Sequence, residues 1–305
     1  MPPLSIIIVT YKPGDIFRAC LQSLRASEDI EFELIVVDNN SQDETLATAR
    51  EFFPEAALIA NQDNRGFASA NNQGLAIAQG KYQLLLNPDV ILEPQTLHTL
   101  IAFMDEHPSI GIAAPRVLTP EGKVALTAYA PLNAFRIAWR FLAIDYLFPY
   151  IVHGRYRAQC ERAETPFEPA WVSGCCFLIR REVYEQISGL DEGLFLFNEE
   201  PDYCDRALIA GWRTAYVPMT QVVHSESSSI SRYPLVKIRA HHISPLYYFR
   251  KRRRKGTVIA LKFIFTLELA LKALFRTVQG VIRRDEVALR AAKARGVVLM
   301  EVWRY

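Results

Sequence analysis

The sequence predicts an α/β protein in which a mostly parallel sheet carries helices on both faces. The first third of the chain alternates between short β-branched runs and segments whose apolar residues recur at helical spacing. Polar residues collect at the points where these strand-like runs end. Hydrophobic residues make up 50% of the 305 residues, which is enough to build a sizeable core. Such alternation is typical of sheets whose parallel strands are joined by helices.

Each predicted element follows from its own local pattern. Continuous aliphatic runs predict strands that are buried on both faces, and these runs lie at 5–11, 32–37, 58–60 and 82–86. Apolar residues at helical spacing predict helices at 15–26, 43–53 and 67–79. After a less regular, aromatic-rich segment, the pattern predicts a strand at 171–179, a helix at 198–210 and a strand at 214–223.

Composition and charge reduce the number of protein classes to which this chain can belong. The 35 Lys and Arg residues against 33 Asp and Glu give a formal net charge of +2, which does not by itself indicate a nucleic-acid binder. The five cysteines include no Cys-x-x-Cys pair, and the adjacent Cys175 and Cys176 suit neither a zinc site nor a disulfide framework. We therefore expect reduced thiols and a cytoplasmic location. Because the apolar runs are short, we expect no signal peptide and no transmembrane helix.

Ligands of such sheets bind at the carboxyl ends of the strands. Asp38 follows the second predicted strand, and Asn87 and Asp89 follow the strand at 82–86. A nucleotide fits this layout, because Asp38 can accept a hydrogen bond from a pyrimidine imide N–H. Capping of the following turn or helix is the alternative for Asp38 and for Asp43. The chain has no Gly-x-Gly-x-x-Gly turn after the first strand and no phosphate-binding P-loop motif, which excludes dinucleotide-binding and P-loop proteins.

Seven short motifs occur in a fixed order between residues 4 and 230. They lie at 5–11, 36–43, 64–74, 86–89, 171–174, 189–192 and 199–202. Together they resemble glycosyltransferase family 2, and more narrowly its bacterial rhamnosyltransferase-like branch. The resemblance implies a GT-A fold, a nucleoside-diphosphate sugar donor and a divalent metal, Mg²⁺ or Mn²⁺. It also implies a catalytic domain over 1–240, whose donor-binding half is 1–120 and whose acceptor half is 121–240, and a tail over 241–305.

Donor binding is assigned by the same resemblance. The family's Asp at the position of Asp38 binds the nucleotide base. Further donor contacts are implied at Thr10, Tyr11, Asn40, Asn64, Arg65, Gly66, Asn87 and Asp89. Backbone N–H groups before a helix, together with an Arg, can bind phosphate. The alternative for the segment 64–66 is a capped turn with a solvated Arg.

The metal ligands are implied at two strand ends. Asn87-Pro88-Asp89 stands where many relatives have Asp-x-Asp, so Asp89 is the one strong ligand for Mg²⁺ or Mn²⁺ there. His224, after the last predicted strand, matches the second ligand of some relatives. The alternatives are an ordinary Asn-Pro-Asp turn and a structural histidine.

The acidic cluster Glu199-Glu200-Pro201-Asp202 is expected to carry the chemistry. An inverting transfer needs one base to take the proton of the acceptor hydroxyl. The family pattern is Glu-Asp-x-Asp, and the Asp of its Glu-Asp pair is the base, so Glu200 holds that position with one extra methylene. Asp202 is the second candidate for the base. The alternative is a set of acids that favour the dipole of a helix's first turn.

The acceptor side is implied at Trp171, Ser173, Gly174 and Glu199, which match the family's acceptor-side motifs. The face of a Trp side chain commonly stacks on sugar rings. A Trp within an apolar run is more often part of a core, and that alternative stays open.

The tail combines cations with an amphipathic helix. Residues 250–255 are six consecutive cations. Over 258–282 an apolar stripe recurs at Ile264, Leu267, Leu271, Leu274, Val278 and Val281, beside a polar stripe of Glu268, Lys272 and Arg276 and an apolar flank of Leu261, Phe265 and Leu269. This pattern favours an anionic membrane surface as partner. A helix packed on its own domain, a homodimer and RNA binding are the alternatives.

The expected function is an inverting glycosyl transfer, with L-rhamnose from dTDP-L-rhamnose as the specific expectation from the resemblance. The acceptor would be a polyprenyl-diphosphate-linked or cell-surface glycan of polysaccharide or O-antigen-type biosynthesis. We expect a peripheral protein on the inner face of the cytoplasmic membrane, without a nucleic-acid partner. Another hexosyltransferase with a UDP-sugar donor, a nucleotidyltransferase and a non-catalytic membrane scaffold are the alternatives.

Overall fold

A computed structural model describes residues 2–27, 30–141, 149–225 and 233–305. The chain forms two compact units. The first unit comprises Met1–Pro131, Arg155–Phe195 and Glu199–Ser229. The second unit comprises Leu132–Gly154, Leu196–Asn198 and Ile230–Tyr305.

The described strands and helices alternate through the first unit, and helices make up the second. The strands are β1 (Leu4–Thr10), β2 (Phe32–Asp38), β3 (Ala57–Ala60), β4 (Tyr82–Leu86), β5 (Val90–Leu92), β6 (Ile110–Leu118), β7 (Ala128–Tyr129), β8 (Trp171–Val172), β9 (Cys176–Arg180) and β10 (Arg213–His224). The helices are α1 (Ile16–Arg25), α2 (Thr45–Phe52), α3 (Phe67–Ile77), α4 (Thr96–Glu106), α5 (Ala134–Phe141), α6 (Pro149–Arg162), α7 (Arg181–Ile187), α8 (Glu199–Ile209), α9 (Pro234–Lys251), α10 (Lys255–Arg283) and α11 (Glu286–Arg304).

Eight strands form one mixed sheet in the order β3-β2-β1-β4-β9-β6-β10-β5. The first four strands are mutually parallel, as are β6 and β10. Strand β9 runs antiparallel to both β4 and β6, and β5 runs antiparallel to β10. The predicted α/β class is confirmed, and the parallel part is the half of the sheet where the sequence alternates most regularly.

Both faces of the sheet are covered by helices. Ile6 and Ile8 of β1 belong to a buried cluster with α1, α2 and α4. Ile7 belongs to a second buried cluster, on the opposite face, with α3, α7 and α8. Successive residues of a strand point to opposite faces, so both kinds of position must be apolar in a strand covered on both sides. The continuous aliphatic run of β1 meets this requirement.

The prediction of a single strand over 171–179 is wrong. Trp171–Val172 pairs with Ala128–Tyr129 in a separate two-stranded ribbon, and only Cys176–Arg180 joins the large sheet. The residues between them leave the strand, so Gly174 lies at a bend between two sheets. Strands β5 and β6 and helices α4 and α7 have no counterpart among the elements predicted from the sequence.

Sheet register places several strand ends at the same edge. Thr10 of β1 pairs with Asp38 of β2, and Ile8 pairs with Leu86 of β4. Because these pairings are parallel, the segments that follow β1, β2 and β4 leave the sheet side by side. The edge is therefore the place where a ligand is expected.

The second unit is a cluster of helices with its own apolar core. The most buried side chains of α10 are Leu261, Phe265 and Leu269, which are 0% exposed and pack with residues of α5, α9 and α11. Glu268, expected in a polar stripe, is buried and its Oε2 lies 3.0 Å from His242 Nε2. None of the helices described here is long and apolar enough to cross a membrane.

All five cysteines are free and buried. Burial raises the pKa of the Cys175 thiol and of the Cys204 thiol to about 12. Burial also raises the pKa of Cys20, Cys160 and Cys176. The thiolate is the reactive form, so these side chains are protonated and inert near neutral pH.

We therefore expect the folded protein to resist alkylation by iodoacetamide at pH 7, and all five cysteines to react once urea has unfolded the chain. Intact-mass spectrometry after a timed reaction measures the number of modified thiols. Rapid modification of even one cysteine in the folded protein would contradict the burial described above.

Candidate active site

The carboxylate of Asp38 is held firmly at the end of β2. Thr10 Oγ1 donates to Asp38 Oδ1 at 2.8 Å, and the Ser41 hydroxyl donates to the same oxygen. The backbone N–H of Ser41 donates to Asp38 Oδ2 at 2.9 Å. A carboxylate oxygen can accept two hydrogen bonds. The structure thus shows Asp38 holding its own turn, and Oδ2 keeps acceptor capacity that a nucleotide base could use.

The turn after β2 is tight and is tied to the loop after β1. Asn40 adopts a φ of 68°, a left-handed conformation that asparagine tolerates better than most residues. The backbone N–H of Lys12 donates to Ser41 Oγ at 2.8 Å, which fixes the loop that contains Tyr11. Asp43 Oδ1 accepts a hydrogen bond from Thr45 N at 3.0 Å, which fixes the turn that leads into α2.

A network of amide side chains lies beside Asp38 and was missed by the sequence analysis. Asn61 Nδ2 donates to Asn39 Oδ1 at 2.9 Å and to Gln73 Oε1 at 2.8 Å, and Gln73 Nε2 donates back to Asn61 Oδ1 at 2.9 Å. Asn39 Nδ2 donates to the carbonyl of Gly66 at 3.1 Å. The network joins the ends of β2 and β3 to α3 and to the loop before it. The sequence contains one indication of this network, since the polar residue Asn61 comes directly after a predicted strand.

The loop before α3 is packed too closely to admit a side chain at Gly66. Gly66 has a φ of 83°, and a Cβ there would lie 2.5 Å from the carbonyl oxygen of Phe195. Asn64 Oδ1 accepts from Gly66 N at 3.0 Å, which is the capped turn of the alternative interpretation. Arg65 Nε lies 3.3 Å from Asp63 Oδ1, and its side chain is 50% exposed. Its guanidinium is therefore at the surface, where an anion can reach it.

Asp89 and His224 meet at the edge between β5 and β10. Val90 pairs with His224 across these strands, and His224 Nε2 lies 3.0 Å from Asp89 Oδ1. The backbone N–H of Asn87 donates to the carbonyl of Cys175 at 2.9 Å, which fixes the end of β4 next to β9. The two residues that the resemblance paired as metal ligands are therefore in direct contact.

A carboxylate oxygen is a suitable ligand for Mg²⁺ or Mn²⁺, whereas an imidazole nitrogen is accepted more readily by the softer Mn²⁺ than by Mg²⁺. Among the residues that the structure describes, no three His, Cys, Asp or Glu side chains form a complete metal site. A bound cation would need further oxygens from the diphosphate of a donor, which is the usual arrangement for metals that act on phosphates. The donor set of Asp89 and His224 fits such a partial site.

Glu200 is positioned by the bend at Gly174. The backbone N–H of Gly174 donates to Glu200 Oε1 at 3.0 Å. A Cβ at residue 174 would lie 2.8 Å from that oxygen, so the position admits only glycine without displacing the carboxylate. Burial raises the pKa of Glu200 above its ordinary value, and the Gly174 N–H partly opposes this effect. A raised pKa makes a carboxylate a better proton acceptor.

The neighbouring acids have other surroundings. Asp202 is 0% exposed, and its Oδ2 lies 2.9 Å from Arg206 Nε in the same helix. Arg206 also donates to the carbonyls of Ile187 at 2.8 Å and Gly189 at 2.7 Å. Asp202 therefore holds Arg206 against the end of α7 and the loop after it. Glu199 is also buried, in the first turn of α8.

Trp171 is stacked on another ring. Its indole lies against the ring of Tyr129, with centroids 4.0 Å apart and an interplanar angle of 14°. Trp171 Nε1 donates to the carbonyl of Ala130 at 2.9 Å, and the N–H of Ser173 donates to the carbonyl of Thr127 at 2.9 Å. One face of the indole is therefore occupied by Tyr129.

Substitution of Asn61 tests the amide network. We expect Asn61→Leu to lower the free energy of unfolding by about 1–3 kcal/mol, because the buried amide of Asn39 and the half-buried amide of Gln73 lose their partner. Urea denaturation followed by circular dichroism measures the change. Asp63→Asn, which breaks an exposed ion pair, is the matched control and should change stability by less than about 1 kcal/mol. Equal effects of both substitutions would contradict the role of the network.

Several known proteins resemble this chain over most of its length. The N-acetylglucosaminyl-diphospho-decaprenol L-rhamnosyltransferase of Mycobacterium tuberculosis is 28% identical over 284 residues, which cover 88% of this chain and 91% of that protein. The crystal structure of S. aureus TarS matches with a TM-score of 0.52 and 19% identity, over 79% of this chain and 39% of that one.

A crystal structure of GalNAc-T7 with UDP, GalNAc and Mn²⁺ matches with a TM-score of 0.53 and 15% identity, over 75% of this chain and 44% of that one. The chain thus spans less than half of each of these two structures, which share its GT-A fold. The family model described as Glycosyl transferase family 2 matches residues 5–188. That match covers more than half of the chain, and the chain therefore belongs to glycosyltransferase family 2.

Proposed function

We propose that the protein is an inverting glycosyltransferase that moves L-rhamnose from dTDP-L-rhamnose to a lipid-linked glycan. The observation that carries the reaction is Glu200, a carboxylate of raised pKa held by the N–H of Gly174. Gly174 is followed by Cys175, whose carbonyl binds the end of β4, so the base lies close to the strand end that bears Asn87. The M. tuberculosis relative, named as an L-rhamnosyltransferase, supports the choice of sugar.

The strand ends suit a nucleoside-diphosphate donor. Asp38 Oδ2 would accept a hydrogen bond from the imide N–H of the base, since its other oxygen is filled by the hydroxyls of Thr10 and Ser41. Arg65, at the surface of the loop before α3, would contact the diphosphate. Tyr11 and Asn40, in the two loops that Ser41 joins, would line the same place.

Transfer would follow a single displacement. Glu200 would take the proton of the acceptor hydroxyl while the oxygen of that hydroxyl attacks the anomeric carbon. The diphosphate would leave from the opposite face of the sugar. Asp89 and His224 would hold Mg²⁺ or Mn²⁺, which neutralises the charge that develops on the leaving diphosphate. The Mn²⁺ in the GalNAc-T7 structure supports a divalent metal in this fold. Trp171, Ser173 and Glu199 would lie on the acceptor side.

We also infer the setting of the reaction. The M. tuberculosis relative is named for an acceptor on decaprenyl diphosphate. A polyprenyl-linked acceptor of polysaccharide or O-antigen-type biosynthesis would bring this chain to the inner face of the cytoplasmic membrane as a peripheral protein. Transfer of another hexose from a UDP-sugar remains the second candidate, because Asp38 would accept from uracil as well as from thymine.

A panel of nucleotide sugars tests the reaction. With Mn²⁺ and a polyprenyl-diphosphate-linked N-acetylglucosamine acceptor, we expect nucleoside diphosphate release to be fastest with dTDP-L-rhamnose. Release is measured by chromatography, and the anomeric configuration of the product by NMR. Faster turnover of a UDP-hexose would replace the proposed sugar. A retained configuration, or no release from any donor, would overturn the mechanism.

Two substitutions separate the base from the metal site. Glu200→Gln should lower kcat by about 10²–10⁴-fold and leave donor affinity nearly unchanged, because it removes a general base and not the pocket. Asp89→Asn should weaken donor binding that depends on Mn²⁺. Steady-state kinetics and calorimetry with nucleoside diphosphate measure these effects, and the surface substitution Glu51→Gln is the control.

The pH profile of the same enzyme provides a further readout of Glu200. The base must be deprotonated, so kcat/KM should fall as pH falls through its pKa. The raised pKa places that midpoint above the ordinary glutamate value of about 4.3. If Glu200→Gln keeps wild-type turnover, the base has been assigned to the wrong residue.

A further inference from the structure

Helix α10 carries a broad apolar surface on the side that faces away from the core of the second unit. We call this surface the outer face of α10. It consists of nine large apolar side chains that are 47–75% exposed: Ile259, Phe263, Leu267, Leu271, Leu274, Phe275, Val278, Val281 and Ile282. At 1.5 Å per residue, the face is roughly 35 Å long. An exposed apolar surface of this size is a mark of an interaction site.

The opposite side of α10 already packs in the core of the second unit. Leu261, Phe265 and Leu269 are 0% exposed in the core of the second unit. On the same side, Glu268 is bonded to His242 Nε2 and to Lys272 Nζ. Rotation of α10 about its axis would expose this core and break a buried ion pair. The outer face therefore cannot be buried by a rearrangement of its own helix.

The two ends of the outer face differ in net charge. Arg253, Arg254 and Lys255 are exposed before its first turn, whereas the exposed Arg283 and Arg284 after its last turn are followed directly by Asp285 and Glu286. Glu268, which is 7% exposed, is the single acidic residue of α10. The outer face thus begins next to a basic segment, has no carboxylate of its own helix beside it, and ends next to two cations and two acids.

This distribution decides between two occupants. If a second copy covered the face in a parallel arrangement, the two basic N-terminal ends would come together, and in an antiparallel arrangement each would meet an end with as many acids as cations. Like charges in such positions oppose association. An anionic lipid surface instead offers apolar chains to the outer face and negative headgroups to the exposed cations, above all to those at the N-terminal end, as interfacial amphipathic helices require.

We propose that the outer face of α10 lies in the interface of an anionic bilayer, with α10 parallel to the membrane plane. The outer face would enter the boundary between headgroups and acyl chains, and the basic residues next to its two ends would contact the headgroups. The proposal rests on the proposed function in one respect, since a lipid-linked acceptor gives the protein a reason to be at a membrane.

Trp303 supplies a reporter of this arrangement. Its ring packs edge-on against Phe263 of the outer face, with centroids 5.3 Å apart, and its Nε1 donates to Thr266 Oγ1 at 2.8 Å. Trp303 is 49% exposed. In the proposed orientation it comes close to the acyl chains, where brominated lipids quench tryptophan fluorescence.

The experiment measures partitioning of the full chain onto vesicles of phosphatidylglycerol and phosphatidylcholine, and onto vesicles of phosphatidylcholine alone. We expect binding to the anionic vesicles, weakened by salt. Leu267→Glu/Leu274→Glu should reduce partitioning about tenfold or more, because two apolar contacts are lost. Ile77→Glu/Ile209→Glu, at exposed positions of the first unit, is the matched control and should bind as wild type.

A second variant tests the proposal with substitutions that should not disturb folding. Arg253→Gln/Arg254→Gln leaves the core untouched and should weaken binding about fivefold for each cation removed. Brominated lipid should quench the fluorescence of the wild type, and Trp303→Phe should remove most of that quenching. Circular dichroism confirms that each variant is folded.

Two results would overturn the proposal. One is vesicle binding that is absent in the wild type or unchanged in Leu267→Glu/Leu274→Glu. The other is a dimer in light scattering that the same substitution dissociates, which would make a second copy the occupant. Nucleotide release from the donor, measured in parallel without vesicles, keeps the two hypotheses apart. Lost turnover with intact vesicle binding would contradict the proposed function alone.

Discussion

The edge of the sheet that carries the candidate site depends on the parallel pairing of β1 with β2 on one side and with β4 on the other. The register sets Thr10 beside Asp38 and Ile8 beside Leu86. These strands are apolar on both faces, so hydrophobicity distinguishes neighbouring registers poorly. The buried hydrogen bond from Thr10 to Asp38 adds a polar criterion, because a slip of one residue would remove one of the three donors to this carboxylate.

Much of the first unit could be predicted from the sequence because its signals are local. The aliphatic runs of β1, β2 and β4 and the polar residues after them lie within a few positions of one another. The features that escaped prediction depend on distant partners. Asn61 bonds to Asn39, 22 residues earlier, and to Gln73, 12 residues later. The bend that ends the ribbon strand at Gly174 is matched to Glu200, 26 residues away.

Helix α10 shows a different limit of sequence reasoning. Its periodicity correctly predicts a long amphipathic helix, but two of its sides are apolar. Packing in the second unit uses the side with Leu261 and Phe265, and the buried pair of His242 and Glu268 accompanies it. Helical spacing alone does not say which of two apolar sides packs, and it assigned Glu268 to a polar stripe. Packing against α9 and α11 determines which side is buried, and the sequence of α10 alone does not predict those contacts.

The contact between Gly174 and Glu200 also means that these two positions share one volume. The atoms that a methyl group at 174 would meet are Oε1 of Glu200 at 2.8 Å and Cγ at 3.0 Å, so the length of the acid fills the space left by the glycine. A side chain at 174 would push the Glu200 carboxylate away from the N–H that holds it, so the residue types at the two positions should depend on each other among related chains. A search that requires aspartate at position 200 would discard this chain, although its carboxylate is held by a backbone N–H.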